Sequence, residues 1–226
     1  MHISRYLTLT CFLILWLLLS ACSSTHQAYL RTLQLAFEKS EDIKLASSEI
    51  MQSPVDLVYV KKGDFSTVVM ALAFIDDSRY QWVSADNVSL IEQHGRMVKT
   101  LALPHNLDFL VAQTSDPLAD ALNINDSSNW ERLIDINHQH FGVKVRSSFK
   151  LKGSHGLQVQ EREVDTVLIE EMVKVLNSEQ FAFSETQWLN QFWVSKKSGR
   201  VIRSKQKAMP DSDYFDITYV SRALRL

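Results

Sequence analysis

Hydrophobic residues along this chain follow two rhythms, and the change between them divides it. Residues 7–19 are apolar almost throughout, with an unbroken run at Phe12-Leu13-Ile14-Leu15-Trp16-Leu17-Leu18-Leu19. Residues 29–45 carry apolar side chains at Leu30, Leu33, Leu35, Ala36 and Phe37. That spacing predicts one helix of about four turns. Ser47-Ser48 and Ser53-Pro54 then interrupt the pattern.

From Val55 onward the period shortens to two. Strands at 55–60 and 65–74 flank Lys61-Lys62-Gly63-Asp64, a hairpin signal. Asp76-Asp77-Ser78 predicts a turn into a strand at 79–84, and His94-Gly95 joins strands at 87–92 and 96–101. A strand at 107–111 follows Pro104. Asp116-Pro117 predicts a short helix through Leu122, since proline suits the first helical turn. Strands follow at 130–136 and 141–151, with a turn at 152–156 leading into 157–160. Residues 164–175 fit a strand by their β-branched content and a helix by Ile169-Glu170-Glu171-Met172-Val173. Strands at 187–194 and 200–205 flank Lys196-Lys197-Ser198-Gly199, and a last strand covers 214–220. About ten strands joined by local turns predict a mainly β fold, an antiparallel barrel or a curled β-sandwich with a short N-terminal helix. No repeat or Pro/Gly-rich linker divides residues 29–226, which read as one β-rich domain.

The apolar run at 7–19 changes the picture of the N-terminus. It is shorter than the roughly 20 residues a membrane-spanning helix needs, and Arg5 precedes it, the order of a secretory signal. It ends in Leu19-Ser20-Ala21-Cys22, which resembles the lipobox of bacterial lipoprotein precursors. That resemblance implies a signal peptide at 1–21, lipid on the Cys22 thiol and a lipidated tether at 22–28. Several acyl chains make such an anchor stable, where one holds only marginally. Ser23, in place of an aspartate after the cysteine, implies the outer membrane with the domain facing the periplasm. The competing reading is an uncleaved anchor helix with an incidental cysteine.

Charge and cysteine content narrow the classes. Without Arg5 the 24 basic residues become 23 against 26 acidic ones, a net of −3, so no basic excess suggests nucleic acid. The 46% hydrophobic content argues against disorder. Cys11 leaves with the signal and Cys22 takes lipid, so the mature domain has no thiol for pairing or catalysis.

Candidate chemistry is sparse. Six glycines include no phosphate-cradling loop, and there is no Gly-x-Ser-x-Gly elbow. The expectation is therefore no catalytic residue, no cofactor and no metal. His138 and His140 would share one face of a strand and could contribute to a metal site, or simply belong to a polar edge. Glu170-Glu171 and Asp76-Asp77 are adjacent in sequence and diverge in space, unlike the facing carboxylates of a glycosidase. Tyr80 and Trp82 share a strand face that is either core or a sugar- or lipid-contacting surface. With His94, Arg96 and Trp193 they form the candidate set for glycan or partner contact.

Several segments together resemble the YjbF/GfcB family of group 4 capsule polysaccharide lipoproteins. They are Gln81-Trp82-Val83-Ser84, Gln93-His94-Gly95-Arg96-Met97-Val98-Lys99-Thr100, Asn106-Leu107, Asp116-Pro117, Ser148-Phe149-Lys150, Asn190-Gln191-Phe192-Trp193-Val194, Gly199-Arg200-Val201-Ile202-Arg203-Ser204-Lys205-Gln206 and Asp213-Tyr214-Phe215. They occur in the family's order after the same kind of lipobox, and a longer segment around 159–185 departs from it. The resemblance implies a barrel-like antiparallel fold and an outer-membrane lipoprotein acting as a non-enzymatic accessory in capsule or exopolysaccharide production or export. Its partners would be the membrane, through the N-terminal lipid, and polysaccharide or secretion-complex proteins. Two other classes stay open: a lipid- or lipoprotein-binding carrier with a half-open barrel, and a glycan-modifying enzyme.

Overall fold

The computed structural model describes residues 42–226. The signal peptide expected at 1–21, Cys22, the tether expected at 22–28 and most of the helix expected at 29–45 lie outside the described residues. Residues 42–46 are irregular. A short helix, α1 (Ser47–Gln52), begins instead at the serines expected to break the pattern, with the Ala46 N–H capped by Glu49 at 2.7 Å.

Twelve strands follow, and alternation of apolar and polar residues places each. They are β1 (Leu57–Lys62), β2 (Val68–Asp76), β3 (Arg79–Ser84), β4 (Ser89–Gln93), β5 (Arg96–Leu101), β6 (Leu107–Val111), β7 (Asn129–Ile136), β8 (His140–Val159), β9 (Arg162–Val175), β10 (Gln187–Ser195), β11 (Val201–Gln206) and β12 (Phe215–Thr218). A 3-10 helix, Pro117–Asn123, links β6 to β7, with the Asp116 carboxylate accepting from Leu118 N–H as its cap. A last helix, α2 (Val220–Leu224), which the sequence pattern did not suggest, follows β12.

All pairings are antiparallel between chain neighbours, and β12 returns to pair with β1. The sheet thus curls into a nearly closed barrel whose two end strands, β5 and β6, lie side by side. Side chains join that seam: Thr100 Oγ1 accepts from Leu107 N–H at 2.9 Å and donates to Asn106 Oδ1 at 3.1 Å. The ten other strands are paired on both sides and β5 and β6 lie against each other, which limits edge-to-edge association.

One expectation is corrected here, and one open alternative is resolved. The segment at 152–156 is not a turn, because β8 runs straight through it with a register shift between Leu151 and Ser154 and Gly153 at φ +89°. A bulge absorbs the glycines without ending the strand. The ambiguous stretch 164–175 is strand β9, held by ladders to both β8 and β10.

The barrel interior holds the largest apolar cluster, including Trp82, Phe149, Ile169, Phe192 and Tyr219. A second cluster lies outside the wall, where Ile50 of α1, Val220 and Ala223 of α2 and the β8–β9 tip (Leu157, Val159, Val164) cover Trp193 and Ile202. A third, around Trp188, Ile134 and Val173, continues the packing at another part of the sheet.

In an up-and-down sheet every second connection falls at the same end. The β2–β3, β4–β5, β6–β7, β8–β9 and β10–β11 connections, together with α2, therefore gather at one barrel end. Gly95 sits in that end, in the β4–β5 turn, at φ +87°, where an added Cβ would come within 2.5 Å of the Val201 side chain. Gly95→Ala is expected to lower stability by about 2–4 kcal/mol, combining left-handed strain with overpacking against β11. Thermal denaturation followed by circular dichroism checks this.

Candidate functional site

Two polar assemblies stand out, one inside the barrel at inward strand positions and one at the barrel end where turns and a helix meet. The first is a strut that crosses the barrel. Glu171 of β9 receives Arg96 Nη1 of β5 on both oxygens, at 2.9 and 2.7 Å, and Asn190 Nδ2 of β10 at 2.9 Å. Ser147 of β8 also donates to it, and Arg132 of β7 lies 3.7 Å away while donating to Ser147 at 2.7 Å. Arg96 Nε meets Asp116 Oδ2 at 2.5 Å, which ties the strut to the cap of the 3-10 helix. The two guanidiniums also lie against aromatic rings: Arg96 is 4.8 Å from Trp130 and 5.4 Å from Phe192, and Arg132 is 4.5 Å from Trp130.

Electrostatics decide the ionisation of this strut. Burial alone would raise Glu171, but the Arg96 and Arg132 charges and the hydrogen bonds outweigh it and pull the carboxyl down to about 2. Burial brings Arg132 down to about 10, against the attraction of Glu171. Arg96 rises above its ordinary value despite burial, because Asp116 and Glu171 grip it together. Two positive and two negative groups balance, so the strut holds the barrel wall without net charge.

The second assembly opens to solvent. At the end where the connections gather lies a cup of about 580 Å³. Its lining includes Tyr80 and Glu92, His94 from the β4–β5 turn, Arg200 from the β10–β11 turn and Arg222 from α2, with the 3-10 helix as a further wall. Glu92 accepts the Gly95 N–H through Oε2, while its buried Oε1 has no hydrogen-bond partner among the described residues. Arg222 Nη2 stands 3.6 Å from Glu92, and Nη1 donates to Val201 O at 2.5 Å. Burial pushes Glu92 up from the ordinary carboxylate range, more than Arg222 and the Gly95 amide pull it down. Beneath it, Tyr219 is raised by burial and by the neighbouring Glu92 charge.

The candidates drawn from the sequence separate here. Tyr80 and His94 both reach the cup. Trp82 does not: only 4% of it is exposed, and it meets Tyr219 edge-on at 5.9 Å in the barrel core. Arg96 is consumed by the strut. Trp193 faces the opposite side of β10, under the helices, with Arg203 5.1 Å from its ring. These three side chains are buried, so their expected role as contact surface is withdrawn. His138 and His140 are not a pair on one strand face: His138 lies in the β7–β8 turn beside Asp108, and His140 packs edge-on against Phe181 and Phe183.

Sequence reading passed over Glu92, Arg200 and Arg222 for the cup and Arg132, Glu171 and Asn190 for the strut. The strut carried a usable signal, because Trp130-Arg132-Ile134 and Ile169-Glu171-Val173 place a charge at an inward position of an apolar alternation. The interior that a lipid carrier would need open is filled by the core rings and crossed by the strut.

Comparison with known proteins supplies the family. Residues 30–220 match the family model described as group 4 capsule polysaccharide lipoprotein gfcB, YjbF. The chain is 29% identical to the uncharacterized lipoprotein GfcB of Escherichia coli K12, over 84% of this chain and 87% of that protein. It is 27% identical to the uncharacterized lipoprotein YjbF of the same organism, over 91% of this chain and 92% of that protein. The crystal structure of the hypothetical lipoprotein YmcC from Escherichia coli K12 superposes with a TM-score of 0.69 at 28% identity, covering 83% of this chain and 91% of that one. The segments that carry the likeness contribute Gly95, Arg96, Asp116, Asn190 and Phe192 to the strut and its surroundings. With nearly the whole domain matched in sequence and in fold, the chain belongs to the YjbF family of group 4 capsule polysaccharide lipoproteins.

Proposed function

We propose that this protein is an outer-membrane lipoprotein, anchored through lipid on Cys22, that acts as a non-enzymatic accessory in capsule or exopolysaccharide production or export. The observation that carries this reading is the cup, which offers an aromatic face at Tyr80 beside hydrogen-bonding and charged groups, the combination that suits a sugar. Glu92 lines the cup facing Arg222 and the Gly95 N–H, and the other carboxylates near it are engaged elsewhere. Glu171 and Asp116 are committed to Arg96 inside the barrel, and Asp120 accepts from Asn123. Contact with a secretion-complex protein is the second reading, favoured by exposed Phe109, Val111 and Leu133 on the adjoining strands β6 and β7.

Deleting the gene in its host is expected to reduce surface polysaccharide, measured by uronic-acid and total-carbohydrate assays of washed cells. Normal amounts would overturn the reading. In the same host, Cys22→Ser is expected to abolish incorporation of radiolabelled palmitate and to move the protein from the membrane to the soluble periplasmic fraction. Retention of label would remove Cys22 from its role.

A further inference from the structure

The charges around the cup are unequally satisfied, and that inequality points to a ligand. Arg222 already serves Val201 O and faces Glu92. Lys197 donates to the backbone oxygen of Leu226. Arg200 differs from both. It is exposed, lies 5.8 Å from the Tyr80 ring, and its guanidinium makes no ion pair among the described residues. A guanidinium placed beside an aromatic face offers a planar fork for an oxyanion next to a surface for an apolar ring face. Across the cup, Glu92 is almost wholly buried, with its Oε1 facing Arg222 Nη2 at 3.6 Å.

We propose that the cup is a subsite for a carboxylate-bearing sugar residue, with Arg200 pairing to the uronate carboxylate and Tyr80 stacking on the sugar ring. This rests on the glycan-accessory reading above and narrows it to acidic saccharides. A neutral sugar would leave Arg200 unmatched. A phosphate, with close to two charges at neutral pH, would face the Glu92 carboxyl and is the poorer fit. A uronate brings one charge in planar bidentate geometry and a ring with an apolar face, which is what Arg200 and Tyr80 accept.

The test uses the full-length protein in detergent and short oligosaccharides cut from the host's own extracellular polysaccharide. Half of that material is treated with carbodiimide and borohydride, which turns each carboxylate into a neutral alcohol and leaves the glycosidic linkages in place. Calorimetric titration is expected to show native fragments binding about tenfold or more tightly than reduced ones, the size of one charge-assisted contact. Arg200→Ala is expected to weaken native fragments by a similar factor and to leave reduced fragments unchanged. Arg200 is exposed, so the variant keeps the wild-type melting temperature and serves as a binding variant alone. Equal affinity for native and reduced fragments overturns the uronate inference and leaves the accessory reading standing. Binding of neither overturns the inference and, with it, glycan as the direct ligand.

Discussion

Glu171→Ala is expected to lower the stability of the folded protein by about 3–5 kcal/mol, the range for removing one partner of a buried ion pair. The reason lies in what remains. Arg96 and Arg132 would stay inside the barrel with only Asp116 to offset them, and Asn190 and Ser147 would lose their shared acceptor. Unfolding in urea, followed by tryptophan fluorescence, measures the loss as a lower midpoint. The quadruple variant Glu171→Leu, Arg96→Met, Arg132→Leu, Asp116→Asn is expected to recover much of it, because it removes all four charges of the strut together. A Glu171→Ala protein as stable as wild type would show that the strut contributes little.

The same carboxyl predicts a response to acid. Its value in the fold is about 2, against an ordinary 4.5. Between those values the unfolded chain binds a proton that the native state does not, so stability falls as the pH drops through this window. The contribution is complete above about pH 4.5 and gone below about pH 2. Glu171→Gln removes it, so the variant's denaturation midpoint should fall less between pH 5 and pH 3, a window set by those two values. Glu92 acts in the opposite sense. Its raised value means the native state holds a proton more tightly than the unfolded chain, so ionised Glu92 weakens the fold as pH rises.

Trp82 supplies the second large effect. Its ring is enclosed by the barrel core against Tyr219, so Trp82→Ala is expected to cost about 3–5 kcal/mol through the cavity it leaves. Trp82→Phe should cost far less, roughly 1–2 kcal/mol, since the lost area is partly offset by removing a buried indole N–H that has no acceptor among the described residues. Thermal melts of the two variants give the contrast. Because the ring has no path to the cup, Trp82→Phe should bind glycan like wild type; a loss of binding in the folded variant would return Trp82 to the contact surface.

These cases show how far side-chain alternation reaches. Glu170 and Glu171 are neighbours with opposite fates: Glu170 turns outward to Lys152 and Gln191, and Glu171 turns inward to the strut. Period two explains that split once β9 is known to be a strand, and its inward partners Ile169 and Val173 were visible in the sequence. Tyr80 and Trp82 lie on one strand two residues apart, yet one reaches the cup and the other does not. Alternation assigns a face of the sheet. Depth along the barrel depends on where the end opens, which no local pattern contains.

The sequence by itself determined the strand-rich class, most hairpin turns, the tight His94-Gly95 connection and the resemblance that proved to be the family. All of these rest on local periodicity, on turn residues or on ordered motifs, each readable within a few positions. Only the tertiary structure decided the strut and the cup. Arg96 meets Glu171 across 75 positions of chain, and Glu92 meets Arg222 across a longer span still, because β12 closes on β1 and β5 comes to rest against β6. Closure of a curled sheet sets which inward charges face one another and which turns share an end, and that geometry belongs to the whole barrel rather than to any one strand.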